Sequence, residues 1–391
     1  MPRDRLIAVV GATGPVGREV LNILKDRGVA PERLRLFASD RSAGAIAQYG
    51  VHALPVAALG HGCFTGTSVA FFCASAEVAL RHAFEAAEAG ALVIDNSSGL
   101  RMHPGVPLVV PEINGHLVGD APGGRVIANP NCSTAIMLTA LHPFRERFGI
   151  EAIDVATYQA VSGAGQKGID ELLTQAEAHA LGRLSPPSAF PEPCLFNVFS
   201  HDAPVDAGTG VNGEEQKMIE ESRKIWEDAA LRITPTCVRV PVLRAHTQAI
   251  TVTLLRPATE DALRDAWQAS SSLHIIDDRA HNRFPTPAKA SGMDSVLVGR
   301  LRPDPCAPPD SGGARRRWCL LACGDQLRKG AALNAVQVAD AAHRTPLWGC
   351  TADDGSVRTS PLHRAVEGPP RSTVQDRGPG GRRSCPGHIP A

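Results

Sequence analysis

A glycine turn between a strand and a helix near the start of the chain is the feature that most constrains the fold. The stretch "RLIAVVGATGPVGREVLNILKDRG" contains a short apolar run, Leu6 to Val10, which suits a buried parallel strand. Gly11, Gly14 and Gly17 follow, and the next residues have apolar side chains at helical spacing. Such a turn lets the backbone approach a pyrophosphate at a helix N-terminus. The pattern therefore predicts a dinucleotide-binding domain, against the alternative of an ordinary tight turn.

The end of the second predicted strand indicates which dinucleotide is bound. The strand "RLRLFAS" leads into "SDRSAG", which contains both Asp40 and Arg41. An acidic residue at this place holds ribose hydroxyls, whereas an arginine accommodates a 2′-phosphate. Arg41 with Ser39 and Ser42 forms a cationic, hydroxyl-rich group, so we expect NADP rather than NAD. The alternative for Arg41 is a solvated loop charge.

Alternating strands and helices continue to about residue 131. "SVAFFCAS" and "ALVIDNSS" are strand-like, and "AEVALRHAFEAAEAG" between them is helical. This alternation favours a doubly wound parallel sheet. Residues at strand ends line the ligand crevice of such sheets, so Ser97, Ser98 and Arg101 are candidates for anion binding.

One cysteine follows the last strand of this half. Cys132 lies in "NPNCST", directly before the apolar run "AIMLTALHPF", so we expect it at a helix N-terminus. Unpaired N–H groups and the helix dipole favour a thiolate at that place. The sequence context alone allows either a nucleophile or a buried structural cysteine.

The pattern changes from Glu151 onward to longer β-like segments and an amphipathic helix. The segment 231–255 is β-like, with a polar interruption at His246. A nucleophilic cysteine needs a base close in space, although not in sequence. His246 is a candidate for that base, although an isolated histidine in such a segment is usually a surface residue.

Composition excludes several classes of protein. The chain has 40 basic and 40 acidic residues, so nothing indicates nucleic acid or an anionic membrane as a partner. Its 10 cysteines are scattered without a CxxC pair, which predicts neither a metal site nor a disulfide framework. No apolar run reaches the roughly 18 residues of a membrane span, and the N-terminus lacks a secretory signal. We therefore expect a cytoplasmic protein.

Eight motifs in order along the chain resemble the aspartate-β-semialdehyde dehydrogenase family. The resemblance runs from about residue 5 to 341 and rests on "GATGPVG", "ASDRSAG", "DNSSGLRMHPGVPLVVPEIN", "NPNCST", "YQAVSGAG", "GEEQKMIEESRKI", "CVRVPVLRAHTQAI" and "LRKGAALNAVQ". It implies NADPH-dependent reduction of 4-phospho-L-aspartate to aspartate semialdehyde through a cysteine thioester. That reaction serves lysine, diaminopimelate, methionine and threonine biosynthesis.

The resemblance also implies a role for individual residues. Cys132 matches the nucleophile, His246 the acid/base and Gln159 the residue that orients the substrate. Arg239 matches the group that binds the substrate carboxylate, and Glu214 the one that contacts its amine, while Lys217 and Arg101 match phosphate contacts. The matched cofactor positions are Gly11, Thr13, Gly14, Pro15, Val16, Ser39, Arg41, Ser42, Ser162, Gly163 and Gln326.

These arguments predict an α/β protein with a Rossmann-type parallel-sheet NADP-binding domain and an α+β substrate and dimerisation domain. The expected divisions are 1–131 for the first domain, 132–325 for the second, and 326–341 for a C-terminal helix that returns to the first. In this helical segment we expect Ala331, Ala332, Val336 and Ala339 to be turned inward.

Two regions, residues 306–318 and everything from 342, depart from the family pattern. Because 342–391 is rich in Pro, Gly and Arg without apolar periodicity, we expect a disordered tail. A homodimer or a dimer of dimers is expected.

Two other functions remain open. An N-acetyl-γ-glutamyl-phosphate reductase uses the same thioester chemistry, but its cysteine lies in a Gly-Cys-Tyr-Pro setting rather than the Asn-Cys-Ser-Thr setting found here. A non-catalytic cofactor-binding homologue, inactivated by the altered C-terminal segment, is the second alternative. It would be favoured by loss of Cys132 or His246, and both are present.

Overall fold

The computed structural model of this protein describes residues 6–119, 124–310 and 313–342. The expected disordered tail lies outside these residues, apart from its first residue, Ala342.

A seven-stranded sheet forms the first half of the chain, in the order β3-β4-β2-β1-β5-β6-β7. All neighbouring strands are parallel except β3 and β4, which form an antiparallel hairpin at one edge. This arrangement confirms the predicted Rossmann-type sheet. The strands are β1 (Leu6–Val10), β2 (Leu34–Ala38), β3 (Ile46–Tyr49), β4 (His52–Ala58), β5 (Thr67–Phe72), β6 (Leu92–Asp95) and β7 (Arg125–Ala128).

Helices α1 (Pro15–Asp26), α2 (Ala76–Glu88) and α3 (Pro111–Asn114) connect these strands. Helix α1 buries Val20, Leu21, Ile23 and Leu24 on the face that its apolar spacing predicts. Its N-terminus follows the glycine turn directly, at the carboxyl end of β1. The crevice beyond the carboxyl ends of the strands is where such sheets bind ligands.

The second half is built on a mixed seven-stranded sheet, in the order β12-β13-β14-β11-β8-β10-β9. Its strands are β8 (Ile150–Gln159), β9 (Phe199–Ser200), β10 (Arg232–Arg239), β11 (His246–Ala258), β12 (Leu273–Ile275), β13 (Val296–Pro303) and β14 (Arg315–Gly324). The polar interruption expected near His246 is therefore the connection between β10 and β11.

Six further helices accompany this sheet and the segment after it among the described residues: α4 (Cys132–Phe148), α5 (Gln166–Ala180), α6 (Gly213–Ile225), α7 (Glu260–Gln268), α8 (Pro287–Ala290) and α9 (Leu333–Ala341). Helix α4 lies between the sheet and helices α6 and α7. Trp267 of α7 stacks on Phe144 of α4 and donates from Nε1 to the Ala140 carbonyl at 3.0 Å. This packing fixes α4, and with it the residues at its N-terminus.

Helix α9 packs against the first sheet. It contacts α1 and β6, and its Val336 and Ala339 are buried, as are Ala331 and Ala332 just before it. Asn334 donates to Val109 O at 2.9 Å and to Asn129 Oδ1 at 2.7 Å. The second of these hydrogen bonds links the helix to the turn that begins at Asn129 and precedes Cys132. Within the described ranges, no helix has the length and apolar character needed to cross a membrane.

Candidate active site

Cys132 is the first residue of α4, and the residue before it is the N-cap. Asn131 Oδ1 accepts from the N–H groups of Ser133 and Thr134 at 2.9 and 3.2 Å. The cap of α4 is thus Asn131. Asn131 is itself fixed, because its backbone N–H donates to Glu221 Oε2 at 2.6 Å.

His246 lies beside this sulfur although 114 positions separate the two residues. Its Nε2 is 3.4 Å from Cys132 Sγ, and its Nδ1 is 3.0 Å from the backbone nitrogen of Ala160. The ring is fully buried. The interpretation of His246 as a surface residue is therefore wrong, because the chain turns inward at Ala245 (φ +73°), whose N–H donates to Gln326 Oε1 at 2.7 Å.

Sheet register brings the polar residues of the second half together. In the parallel pair β8 and β10, Gln159 lies opposite Arg239. In the antiparallel pair β8 and β11, Tyr158 lies opposite Thr247, which places His246 level with the end of β8. Three strand ends therefore meet at one edge of the sheet, and Gln159, Arg239 and His246 lie there.

A cavity of about 350 Å³ opens in front of Cys132, between the glycine turn and these strand ends. It brings together eleven of the residues that the sequence predicts for the site: Pro15, Val16, Arg101, Cys132, Gln159, Ser162, Gly163, Glu214, Lys217, Arg239 and Gln326. Six predicted cofactor residues do not line it: Gly11, Thr13, Gly14, Ser39, Arg41 and Ser42.

His201 and Asp202 also line the cavity. Sequence reasoning missed this pair, because nothing in "FNVFSHDAP" marks it.

Arg239 is almost completely buried and already has several partners. Its Nη1 donates to Ala160 O at 2.9 Å, and Nη2 lies 2.6 Å from Asp202 Oδ1 and 2.9 Å from His201 Nε2. An additional bond joins Nε to Asp202. Most of the Arg239 N–H groups that would bind a substrate carboxylate therefore already have partners within the protein.

Glu214 and Lys217 lie on the first turns of α6 and face the cavity. Glu214 is buried, accepts from Asn131 Nδ2 at 2.9 Å and lies 3.3 Å from Lys217 Nζ. Burial alone would raise its pKa, but His201, Lys217 and its hydrogen bonds lower the pKa to about 2. The buried carboxylate is therefore ionised at neutral pH, so the two residues are not simply a surface ion pair.

Arg101 lines the cavity, and its guanidinium donates to three protein acceptors. Its Nε donates to Asn129 O at 2.9 Å, Nη1 to Glu221 Oε1 at 3.0 Å and Nη2 to Asn96 O at 3.0 Å. A guanidinium has five N–H groups, so it can hold this loop and still offer a donor to an anion.

Burial acts against a free thiolate at Cys132. Burial and the charge of Glu214 raise the Cys132 pKa to about 12, although Arg101, Arg239 and the Ser133 N–H act in the opposite direction. Burial, assisted by Arg239, also lowers the pKa of His246 to about 3. The N–H of Ser133 at the helix N-terminus thus favours the thiolate, as expected, but the effect of burial is larger.

The glycine turn has the shape that a pyrophosphate needs. Gly11 has φ +80°, and a Cβ on it would lie 2.3 Å from Cys73 O. Helix α1 begins at Pro15 without a side-chain cap, so its first N–H groups face the crevice. Ser39, Arg41 and Ser42 follow β2, the neighbouring strand, and Arg41 is exposed. These residues fit a dinucleotide with an additional phosphate.

A nucleotide-binding sheet joined to a mixed-sheet domain, with a cysteine and a histidine in contact beside a polar cavity, indicates a nicotinamide-dependent dehydrogenase. The family descriptions "Semialdehyde dehydrogenase, NAD binding domain" and "Semialdehyde dehydrogenase, dimerisation domain" match residues 6–121 and 141–329. The chain belongs to the aspartate-semialdehyde dehydrogenase family. The match to a dimerisation domain indicates a homo-oligomer. The semialdehyde dehydrogenase descriptions indicate small-molecule substrates.

Relatives and solved structures agree with this assignment. Aspartate-semialdehyde dehydrogenase from Synechocystis sp. is 41% identical over 340 residues, which cover 87% of this chain and 98% of the relative. The enzyme from Aquifex aeolicus is 39% identical over 336 residues, 85% of this chain and 96% of the relative. The crystal structure of aspartate semialdehyde dehydrogenase II from Vibrio cholerae complexed with ASA has a TM-score of 0.80 and 36% identity, and covers 86% of this chain and 98% of that one.

Proposed function

We propose that this protein catalyses the NADPH-dependent reductive dephosphorylation of 4-phospho-L-aspartate to L-aspartate 4-semialdehyde, through a thioester on Cys132. The observation that carries the proposal is the contact of 3.4 Å between Cys132 Sγ and His246 Nε2, at a helix N-terminus that faces a polar cavity. A thiolate forms a covalent intermediate that divides one difficult step into two easier ones. The family assignment supplies the substrate.

The proposed reaction has two stages on one sulfur. In the first, the Cys132 sulfur bonds to the acyl carbon as its proton passes to His246, and the bond from that carbon to the phosphate oxygen breaks with its electron pair on the phosphate, which leaves a thioester. In the second, a bound dinucleotide would supply the hydride that reduces the thioester carbon. His246 returns the proton to the oxygen of the resulting hemithioacetal, which collapses to the aldehyde as its C–S bond breaks and the sulfur regains that proton through His246. His246 is the polar group beside the sulfur and the reacting oxygen in both stages.

Charged side chains around the cavity provide the proposed substrate contacts. Arg239 binds the α-carboxylate, and Glu214 binds the ammonium group. Lys217 and Arg101 hold the phosphate, since both are cations at the cavity surface. Gln159 orients the reacting carbonyl from the end of β8. This arrangement has one charged partner for the carboxylate, one for the ammonium group and two for the phosphate.

NADP is the proposed dinucleotide. Gly11, Thr13, Gly14, Pro15 and Val16 form the turn proposed for the pyrophosphate. Ser39, Arg41 and Ser42 are suited to the 2′-phosphate, because they combine hydroxyl groups with a cation next to β2. Ser162, Gly163 and Gln326, which line the cavity, complete the proposed nicotinamide end.

The finer organisation is also a proposal. We expect a homodimer or a dimer of dimers in the cytoplasm, without a nucleic-acid or membrane partner, because the charge is balanced and the family is dimeric. The proposed divisions are residues 1–131 for the cofactor, 132–325 for catalysis and dimerisation, and 326–341 for the returning helix.

One assay tests the proposal. NADPH formation is followed from aspartate semialdehyde, phosphate and NADP, with N-acetylglutamate semialdehyde as the control substrate. We expect turnover with aspartate semialdehyde that depends on phosphate. Turnover of only the acetylated substrate would favour the N-acetyl-γ-glutamyl-phosphate reductase alternative, and no turnover of either would favour a non-catalytic homologue.

A further inference from the structure

His201 lines the same cavity as Cys132, and none of the roles proposed above uses it. It follows β9, and its backbone N–H donates to Cys237 O at 2.9 Å. Its Nε2 is 2.9 Å from Arg239 Nη2, and its Nδ1 is 3.1 Å from the backbone nitrogen of Ala203. The side chain is only 11% exposed. The ring is therefore fixed at the wall of the cavity, where a bound molecule can contact it.

Both neighbours of this ring are hydrogen-bond donors. A backbone amide nitrogen and a guanidinium only donate, whereas a neutral imidazole has a lone pair on one of its two nitrogens. In either neutral tautomer, one of the two donors therefore lacks an acceptor at His201. An imidazolium would have no lone pair at all, and it is disfavoured because burial lowers the His201 pKa.

Nearby protein acceptors do not remove this conflict. The Ala203 N–H has no other acceptor within the described part of the chain. Asp202 Oδ1 accepts from Arg239 Nη2 at 2.6 Å but lies 3.8 Å from His201 Nδ1, beyond hydrogen-bond distance. When Nδ1 accepts from Ala203, the Nε2–H of His201 lies beside Arg239 Nη2, and the two donors have no common acceptor at the cavity wall.

A carboxylate in the cavity gives every one of these donors a partner. One oxygen accepts from Arg239 Nη2 and the other from His201 Nε2, while Nδ1 accepts from Ala203. Of the charges around His201, that of Glu214 has the largest effect on its pKa, so the two side chains lie close together. Glu214 is the proposed partner of the substrate ammonium group. An α-amino acid carries its ammonium and carboxylate on one carbon, which requires two such neighbouring contacts.

We propose that His201 is a specificity-determining residue that donates from Nε2 to the α-carboxylate of the substrate, next to Arg239. The inference rests on the proposed function for the identity of the substrate. A site whose donors remain unpaired without the carboxylate discriminates against analogues that lack it.

Kinetics with and without the α-carboxylate test this contact. 3-Aminopropanal is aspartate semialdehyde without that carboxylate, so the ratio of the two kcat/KM values measures what the carboxylate contributes. An asparagine amide can still accept from the Ala203 N–H but does not reach the position of Nε2, whereas a glutamine amide can place an N–H there. We expect His201→Asn to lower the ratio about tenfold, which corresponds to about 1.4 kcal/mol, and His201→Gln to lower it less than about threefold.

A binding measurement tests the same contact without turnover. L-2-Aminobutyrate has the carboxylate and ammonium groups of the substrate, and propylamine lacks the carboxylate. Ligand-observed NMR titrations in the presence of NADP give both Kd values. In His201→Asn we expect the Kd of L-2-aminobutyrate to rise about tenfold and that of propylamine to stay within about twofold. The exposed His116→Asn is the control and should bind both as the wild type does.

Two results would overturn the proposal. Equal losses for the compounds with and without the carboxylate would show that His201 only supports the local structure. An unchanged ratio and an unchanged Kd in His201→Asn would show that it does not contact the carboxylate, while turnover of aspartate semialdehyde would leave the proposed function intact. If the wild type has no such turnover but binds L-2-aminobutyrate in a manner that depends on His201, the proposed function fails and the carboxylate contact is supported.

Discussion

Asp202 is hydrogen-bonded to the buried guanidinium of Arg239. Its Oδ1 lies 2.6 Å from Nη2 and 3.2 Å from Nε of Arg239, and His201 and the Ala160 carbonyl take two further N–H groups. Burial alone would raise the pKa of Asp202, but the Arg239 charge and hydrogen bonds lower it, so Asp202 is ionised at neutral pH. Under the proposed function, a substrate carboxylate at Arg239 competes with Asp202.

The first prediction concerns this competition. Asp202→Asn removes a negative charge from Arg239, so we expect KM for aspartate semialdehyde to fall about fivefold, which corresponds to about 1 kcal/mol, with kcat little changed. Asp206→Asn, at an exposed position of the same segment, is the matched control and should have no effect. Steady-state kinetics provide the measurement. A higher KM in Asp202→Asn would mean that Asp202 orients Arg239 instead of competing for it.

The second prediction concerns the nucleophile. Cys132→Ser should reduce turnover by several orders of magnitude, because a serine hydroxyl is a far weaker nucleophile at neutral pH. NADP binding should persist, since Cys132 lies beyond the glycine turn. Cys319→Ser, on β14, is the control and should remain active. Mass spectrometry of the acyl-enzyme and a binding titration with NADP check the two statements, and near-normal turnover of Cys132→Ser would contradict the assignment.

The third prediction concerns the pH dependence of stability. Burial lowers the His246 pKa to about 3, whereas an unfolded histidine has a pKa of about 6.5. Below about pH 6.5 His246 therefore binds a proton in the unfolded chain but not in the folded protein. The free energy of unfolding consequently decreases as the pH falls toward 3. The contribution of one such group is about 1.4 kcal/mol per pH unit.

Urea unfolding of wild type and His246→Gln, at several values between about pH 6.5 and about pH 4, measures this contribution. The stability of the variant should fall less steeply with acidification. Identical slopes would show that His246 titrates normally in the folded protein.

The fourth prediction concerns the approach of Gly330 to the nucleophile. A Cβ on Gly330 would lie 2.7 Å from Cys132 Cβ and 3.2 Å from its Cα. Gly330→Ala should therefore displace Cys132 or the turn around residue 330, destabilise the protein by about 1–3 kcal/mol and slow alkylation of the thiol. Gly60→Ala, where a Cβ has open space, is the control. Unchanged Tm and thiol reactivity in Gly330→Ala would show that this contact is loose.

The fifth prediction concerns cofactor choice. Arg41→Ala should lower kcat/KM for NADPH about tenfold and leave that for NADH nearly unchanged, because a guanidinium can hold only the additional phosphate. Arg18→Ala, an exposed arginine of α1, is the control. Equal losses with both dinucleotides would assign Arg41 a structural role.

Features that depend on neighbouring residues could be predicted from the amino-acid sequence. The glycine turn after β1 follows from local conformation, because Gly11 has a positive φ, which favours glycine. The start of α4 at Cys132 and the buried face of α9 follow from helix signals and apolar spacing. The ordered set of motifs was sufficient to assign the family.

The pairing of the polar groups depends on contacts between distant segments and could not be predicted from the sequence. The contact between Cys132 and His246 depends on the register of β8 with β10 and β11, and on the packing of α4 against the sheet. Register and burial arise from contacts between segments far apart in the chain, which local patterns do not encode. For the same reason the sequence did not indicate that Asp202 is hydrogen-bonded to Arg239. It also did not indicate that burial favours the neutral forms of Cys132 and His246.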